Sequence, residues 1–339
     1  MISRALHSVM DGVLCSMMNF SQWKLRRHVV TRERLEAYLA FCNNLDYRSY
    51  YATPEEKRSF PISSYTPEWR RDGSKLSWKS PLQGPFPENN TARTILHDTM
   101  QPREAPTLIL LHALMSANDF GYRRIASRFN ERGWNVLFPH LPFHYSRIPK
   151  GYANGALTIT SDLVRNAETL RQSVIELRQL IDWARSRGSK RIALMGTSYG
   201  GWVAAVTLAL EELDFAILLQ PVADVEHATF GSPASSMMSE LLKKNHVSRE
   251  VIRRHAHLSS PLKLKPSTRP ERITVIGGKY DRLSPSESLR SLCISWGGAN
   301  FREVPQGHFG YRAMECAMQE AELFLDKPAP LIPKIPSPK

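Results

Sequence analysis

The chain has 339 residues, of which 42% are hydrophobic and 23% charged, an ordinary composition for a globular protein and enough length for one large α/β domain with additions. Its formal net charge is +13. The lysines and arginines are scattered, however, and no zinc-finger, RRM-like or basic-zipper pattern occurs, so nucleic acid is not an expected partner; the basic excess fits solubility, attraction to anionic membrane surfaces or an acidic ligand. No run approaches the ~20 apolar residues of a membrane span. The four cysteines, Cys15, Cys42, Cys293 and Cys316, stand far apart without ligand or redox spacing, which predicts free thiols in a reducing, cytoplasmic compartment.

Residues 1–74 read as an N-terminal helical extension. Ile2, Leu6, Val9, Met10, Val13, Leu14 and Met17 share one helical face. That stripe predicts a helix packed on the domain, or one laid on a membrane surface or a partner through residues 1–20. Leu35, Tyr38, Leu39, Cys42 and Leu45 predict a second helix, and "SFPISSYTPEW" an extended connection. "KLSWKS" and "RTILHD" look like short strands, antiparallel at a sheet edge. "TLILLHAL" (107–114) is continuously apolar, as expected of a strand buried on both faces of a parallel sheet.

From there to residue 326, helices and strands alternate, which predicts a mostly parallel sheet covered on both faces. The strongest helix repeats Leu163, Ala167, Leu170, Val174, Leu177, Ile181 and Ala184, with Ser161 as the expected N-cap and Gly188 as the terminator. Two further helices lie in residues 222–268, inserted before the strand "ERITVIGGKYD" in the position of a lid. Residues 327–339, with five prolines, read as a free tail.

The chemistry concentrates at Gly196-Thr197-Ser198-Tyr199-Gly200, a G-x-S-x-G between a predicted strand and a predicted helix. A sharp, strained turn there needs small neighbours two residues either side of the hydroxyl. A serine needs a base and the base an orienting acid. Asp281 and His308 each end a later predicted strand, and strand carboxyl ends are where open α/β sheets gather their sites. Asp224 is the rival acid. His140 and His144 have a metal-like spacing, but Pro142 breaks any helix and no carboxylate cluster accompanies them, so no metal is expected; a place in the pocket wall fits better, with Tyr145 and Arg147 beside them. Arg123, Arg124, Arg147 and Lys150 are candidates to attract an anionic group, against the default of solvated charge.

"GTSYGG", "GGKYD" and "QGH" in this order make the chain resemble the α/β-hydrolase superfamily over residues 75–326. "HALMSANDFGYRR" and "PHLPFHYSR" are further similar to a poorly characterised, mainly bacterial branch of it. The resemblance implies an eight-stranded, mostly parallel sheet and a Ser-Asp-His hydrolase with no cofactor. It also implies an oxyanion hole made by the N–H of Tyr199 and an N–H from the loop after "TLILLHAL", Leu114 first and Met115 second. Many relatives carry His-Gly where this chain has His112-Ala113, which puts that loop's backbone in question, and His112 is expected to brace it. Trp202, His144, Met237 and Met238, with Phe230 and Leu241, are expected around the pocket. The function expected is cleavage of carboxylic esters, lipid or other hydrophobic acyl esters included, with a small-molecule ester as partner. Acyl transfer by the same triad and a non-catalytic, membrane-associated scaffold are the alternatives.

Overall fold

The computed structural model describes residues 4–52, 64–66, 73–100 and 104–325. The proline-rich tail and most of the connection over 59–69 lie outside them, as does Ile2.

Among the described residues one nine-stranded sheet runs β1-β2-β3-β5-β4-β6-β7-β8-β9. β2 (Ser74–Lys79) and β3 (Thr91–His97) form the antiparallel edge expected from "KLSWKS" and "RTILHD", and β3 joins β5 (Asn135–His140) antiparallel. β4 (Thr107–Leu111), β6 (Ile192–Thr197), β7 (Phe215–Leu219), β8 (Ile273–Gly278) and β9 (Asn300–Val304) continue the sheet in parallel from β5. β2 to β9 are the eight strands expected; the three-residue β1 (Ser64–Thr66) extends the edge beyond β2. Burial explains the division. Residues alternate between buried and less buried along β2 and β3, whereas every residue of β4 and β8 is buried, as two-sided packing requires.

The chain leaves β4 toward β5 and then crosses over β4 to β6, after which each strand adds on the far side. This reversal places the ends of β4 and β6 side by side, with Leu111 paired to Gly196, and opens a crevice above them. Helices α4 (Phe120–Glu131) and α11 (Arg312–Leu325) cover one face; α5 (Leu163–Ser186), α6 (Tyr199–Leu208) and α10 (Ser286–Ser295) cover the other. Asp162, rather than the expected Ser161, caps α5 by accepting the Arg165 amide at 3.1 Å. Gly188, at φ 89°, follows the helix end.

The crevice is roofed by α7 (Val225–Phe230), α8 (Ser236–Lys244) and α9 (Arg249–Ser259) from residues 222–268, together with α1 (Arg4–Lys24) and α2 (Arg32–Cys42); the single-turn α3 (Tyr47–Tyr50) packs against α9. Val30, Leu35 and Leu39 form a small core with Met238, Leu242 and Val247, so the N-terminal helices and the inserted ones share their packing. Helix α1 packs on the domain as expected, but not by the expected stripe: Leu6, Val9, Val13 and Met17 are exposed, while His7, Asp11 and Cys15 are buried. No described helix is long and apolar enough to cross a membrane.

Arg147 is also corrected. Its side chain is fully buried and makes two hydrogen bonds to Glu176, at 2.6 and 2.9 Å, besides bonding the carbonyls of Asn89 and His140. It fastens the loop after β5 to α5 and is not available to a ligand. Glu176→Gln leaves a buried cation without its counter-charge and is expected to cost about 3–5 kcal/mol of stability, measured by denaturant unfolding.

Candidate active site

Ser198 is the first residue after β6 and precedes α6. Its φ of 52° and ψ of −112° lie in a region that non-glycine residues rarely occupy. The turn closes because its neighbours lack side chains. A Cβ on Gly196 would stand 2.4 Å from the Gly200 carbonyl oxygen, and one on Gly200 would stand 2.5 Å from the His112 carbonyl oxygen. The strain holds the hydroxyl above the sheet, where Ser198 Oγ lies 2.9 Å from His308 Nε2. His308 Nδ1 lies 2.8 Å from Asp281 Oδ2. Asp281 also accepts the amides of Leu283 and Ser284, at 2.8 and 2.9 Å, so its carboxylate is fixed from several sides. Burial disfavours the charged form of His308, but the carboxylate of Asp281, with Asp11 adding to it, outweighs this and holds the pKa above the usual 6.5. The rival acid, Asp224, instead caps α7 through the amides of Glu226 and His227, at 2.9 and 3.1 Å.

The loop after β4 faces this relay. His112 Nε2 accepts the Leu141 amide at 3.1 Å, which leaves Nδ1–H to donate to the Ala113 carbonyl at 3.0 Å. Burial keeps the ring neutral by driving its pKa well down. The Ala113 amide donates to the Tyr122 hydroxyl at 3.0 Å. The residue in the left-handed region is Met115, at φ 55°, not Ala113, so the alanine costs this loop no backbone strain.

Above Ser198 and His308 lies a cavity of about 610 Å³. Most of its wall is apolar, and Leu114, Met115, Tyr199, Trp202 and Met238 line it. His144 and Met237, expected there, do not. His144 is buried behind the loop, with its ring centroid 4.5 Å from that of His112, and its Nδ1 bonds the Pro142 carbonyl at 2.8 Å. Met237 follows Ser236 at the start of α8, and its amide donates to Asn19 Oδ1 of α1 at 2.9 Å; one helical step of about 100° separates it from the inward-facing Met238. Phe230 and Leu241 also lie off the wall. The wall carries polar atoms without an internal partner as well: both ring nitrogens of His7, Gln22 Oε1 and His255 Nε2. His255 is kept neutral by burial, its pKa pushed down to about 4.

A family model described as alpha/beta hydrolase domain containing 18 matches residues 78–266, more than half of the chain. The chain belongs to this α/β-hydrolase family. It is 30% identical over 294 residues to the uncharacterized protein Rv2627c of Mycobacterium tuberculosis (strain ATCC 25618 / H37Rv), a match over 83% of this chain and 66% of that one. The hydrolase chain thus spans just under two thirds of the length of the curated relatives it matches. Among solved structures it is similar to acetyl xylan esterase 1 from Thermoanaerobacterium sp. JW/SL YS485, at 14% identity and a TM-score of 0.56, covering 90% of this chain and 98% of the esterase. It is also similar to the acylaminoacyl peptidase of Pyrococcus horikoshii, at 13% identity and a TM-score of 0.53, covering 80% of this chain and 44% of the peptidase. At these identities the likeness is one of fold.

Two supports of the relay escape a reading of motifs. Gln220, at φ 45°, follows β7 and donates to Asp281 Oδ2 at 2.6 Å and to the Gly307 carbonyl at 2.9 Å, while accepting from Gln306 at 2.9 Å. Asp11, from α1, accepts the amides of His308 and Phe309 at 2.9 and 3.2 Å. A Cβ on Gly307 would stand 2.3 Å from that carboxylate, so the loop carrying His308 is shaped to receive it. A lone acid within an apolar stripe was the available signal for Asp11; for Gln220 the sequence carries none. For the hydrolase elbow, Gly200→Ala is expected to destabilise the fold by about 1–3 kcal/mol, because the Cβ meets backbone that cannot swing away. A lowered thermal midpoint checks this.

Proposed function

We propose that this α/β hydrolase is a serine esterase acting on hydrophobic acyl esters, and that the Ser198–His308–Asp281 relay opening into a largely apolar cavity is the observation that carries the reading. Ser198 Oγ attacks the ester carbonyl as His308 Nε2 takes its proton. Asp281 holds the imidazole in the tautomer with Nδ1–H and stabilises the imidazolium. The tetrahedral oxyanion is received by the Tyr199 amide, which at the first turn of α6 has no intrahelical acceptor, and by the Leu114 amide, or that of Met115; the Ala113 amide already serves Tyr122. His308 then protonates the departing alkoxide, and the acyl group remains on Ser198. A water deprotonated by His308 releases the acid. An acceptor alcohol in place of water would make the same site an acyltransferase, and the products tell the two apart. The apolar wall suits the acyl chain, and the unpaired atoms of His7, Gln22 and His255 suit polar groups on the rest of the substrate.

Labelling by a fluorophosphonate probe tests the nucleophile. Wild type is expected to react at Ser198 and Ser198→Ala not at all, whereas Asp281→Asn is expected to slow labelling by roughly 10³-fold or more. A wild type no faster than Ser198→Ala would leave the chain a non-catalytic scaffold. The base must be neutral, so labelling is expected to rise with pH through a midpoint above 6.5, the usual value, which the carboxylates raise in His308. Asp11→Asn removes one of those charges and is expected to move the midpoint to lower pH and slow the reaction. An unchanged pH profile would leave Asp11 a structural contact only. On p-nitrophenyl esters of graded length, kcat/KM is expected to rise from acetate toward medium chains as the cavity fills, and a preference for acetate would argue against the apolar acyl site.

A further inference from the structure

Helix α1 is amphipathic in the wrong sense for a helix packed on a water-soluble domain. Asp11, Asn19 and Gln22 point inward: Asp11 to the His308 loop, Asn19 to the Pro233 carbonyl and Met237 amide, Gln22 to the Ile159 carbonyl. Beside Met10 and Met18 on the inner face, a row of large apolar residues points out, with Val9 61%, Val13 57%, Met17 59%, Phe20 55% and Trp23 44% exposed. A continuous apolar line along a 21-residue helix, about 30 Å long, is an expensive surface to leave in water. The inward polar contacts are specific enough to show that the helix is held this way round.

We propose that the outer face of α1 docks on an anionic lipid surface. The charges around it select that occupant. Asp11 is the only acid between residues 4 and 24, and it is buried. Arg4, Lys24, Arg26 and Arg27 are exposed at the two ends of the helix. Phe20 and Trp23 stack at 5.7 Å between ring centroids, with Lys24 4.8 Å over the first ring and Arg26 4.4 Å over the second. Rings at the level of the headgroups, with cations reaching from them to phosphate, suit a bilayer interface. Pairing of two copies through the same face would set these cations against each other, whether the helices ran parallel or antiparallel, with no acid on α1 to answer them. The inner face of α1 lines the cavity through His7, Met10, Met18 and Gln22, so docking sets the cavity about one helix diameter, 10 Å, from the lipid.

The test is co-sedimentation of the full chain with vesicles of phosphatidylcholine alone and of equimolar phosphatidylcholine and phosphatidylglycerol. Wild type is expected to bind the mixed vesicles, less so as salt rises, and the neutral ones weakly. Val13→Asp/Met17→Asp and Lys24→Glu/Arg26→Glu are each expected to weaken binding by about tenfold or more, with helix content by circular dichroism and Ser198 labelling in solution unchanged. Neither pair lines the cavity. Wild type that ignores anionic vesicles, or variants that bind them as wild type does, would overturn the proposal. So would a wild-type dimer, seen by sedimentation velocity, that the Val13→Asp/Met17→Asp change dissociates: the face would then be an interface between copies. Sedimentation does not use Ser198 chemistry, so a chain that binds vesicles but does not label refutes the esterase reading and leaves the docking intact.

Discussion

The close approach of strand β6 to helix α6 governs the rest of the molecule. Ser198 can hold its strained conformation only because Gly196 and Gly200 let two backbones meet at distances no Cβ tolerates. The strain is sustained from outside the turn. The Ser198 amide bonds the Leu219 carbonyl at 2.8 Å, and the residue after Leu219, Gln220, reaches on to Asp281 and Gly307. The neighbouring strand therefore fixes both the backbone of Ser198 and the side chain of Asp281. A rigid sheet underneath is what allows three side chains from distant parts of the chain to meet within hydrogen-bonding distance.

The roof follows a different logic. The sheet buries apolar residues and needs few specific contacts. The helices above the crevice are placed by polar contacts as well: Asp11 of α1 to the His308 loop, the Trp202 indole of α6 to the Ser259 carbonyl at 2.7 Å and, within the roof, Asn19 of α1 to the Pro233 carbonyl. Such contacts define position at small net gain in stability. A roof of this kind can be held in register over Ser198 and still leave room beneath. It also explains how α1 turns its apolar residues outward, since the inward contacts that orient it are hydrogen bonds.

The parallel strands were legible in the sequence because full burial leaves unbroken apolar runs such as "TLILLHAL". The edge strands were legible because one-sided burial leaves alternation. Ser198, Asp281 and His308 were legible because each follows a predicted strand, and the sheet brings the ends of those parallel strands to one side. Side-chain direction in the loops was not. His144 and Met237 carry the right chemistry for a pocket wall, but a backbone turn sends one behind the loop after β4 and a helical step turns the other away. Arg147 looked like a surface cation until Glu176 of α5 was folded against the loop that carries it.

By itself, then, the sequence determined the layered α/β architecture, the tight strand-to-helix turn and the placing of Ser198, Asp281 and His308 after strands, since all three rest on local pattern: burial period, glycine spacing and position at the ends of strands. Only the tertiary structure decided which face of α1 is buried, that Asp11 and Gln220 brace the relay, and which residues enclose the cavity. Those outcomes depend on contacts between segments far apart in the chain, from 61 residues for Gln220 with Asp281 to 297 for Asp11 with His308. A stripe of apolar residues marks a helix face, but whether that face meets the core or the solvent is decided by what the opposite face can bond.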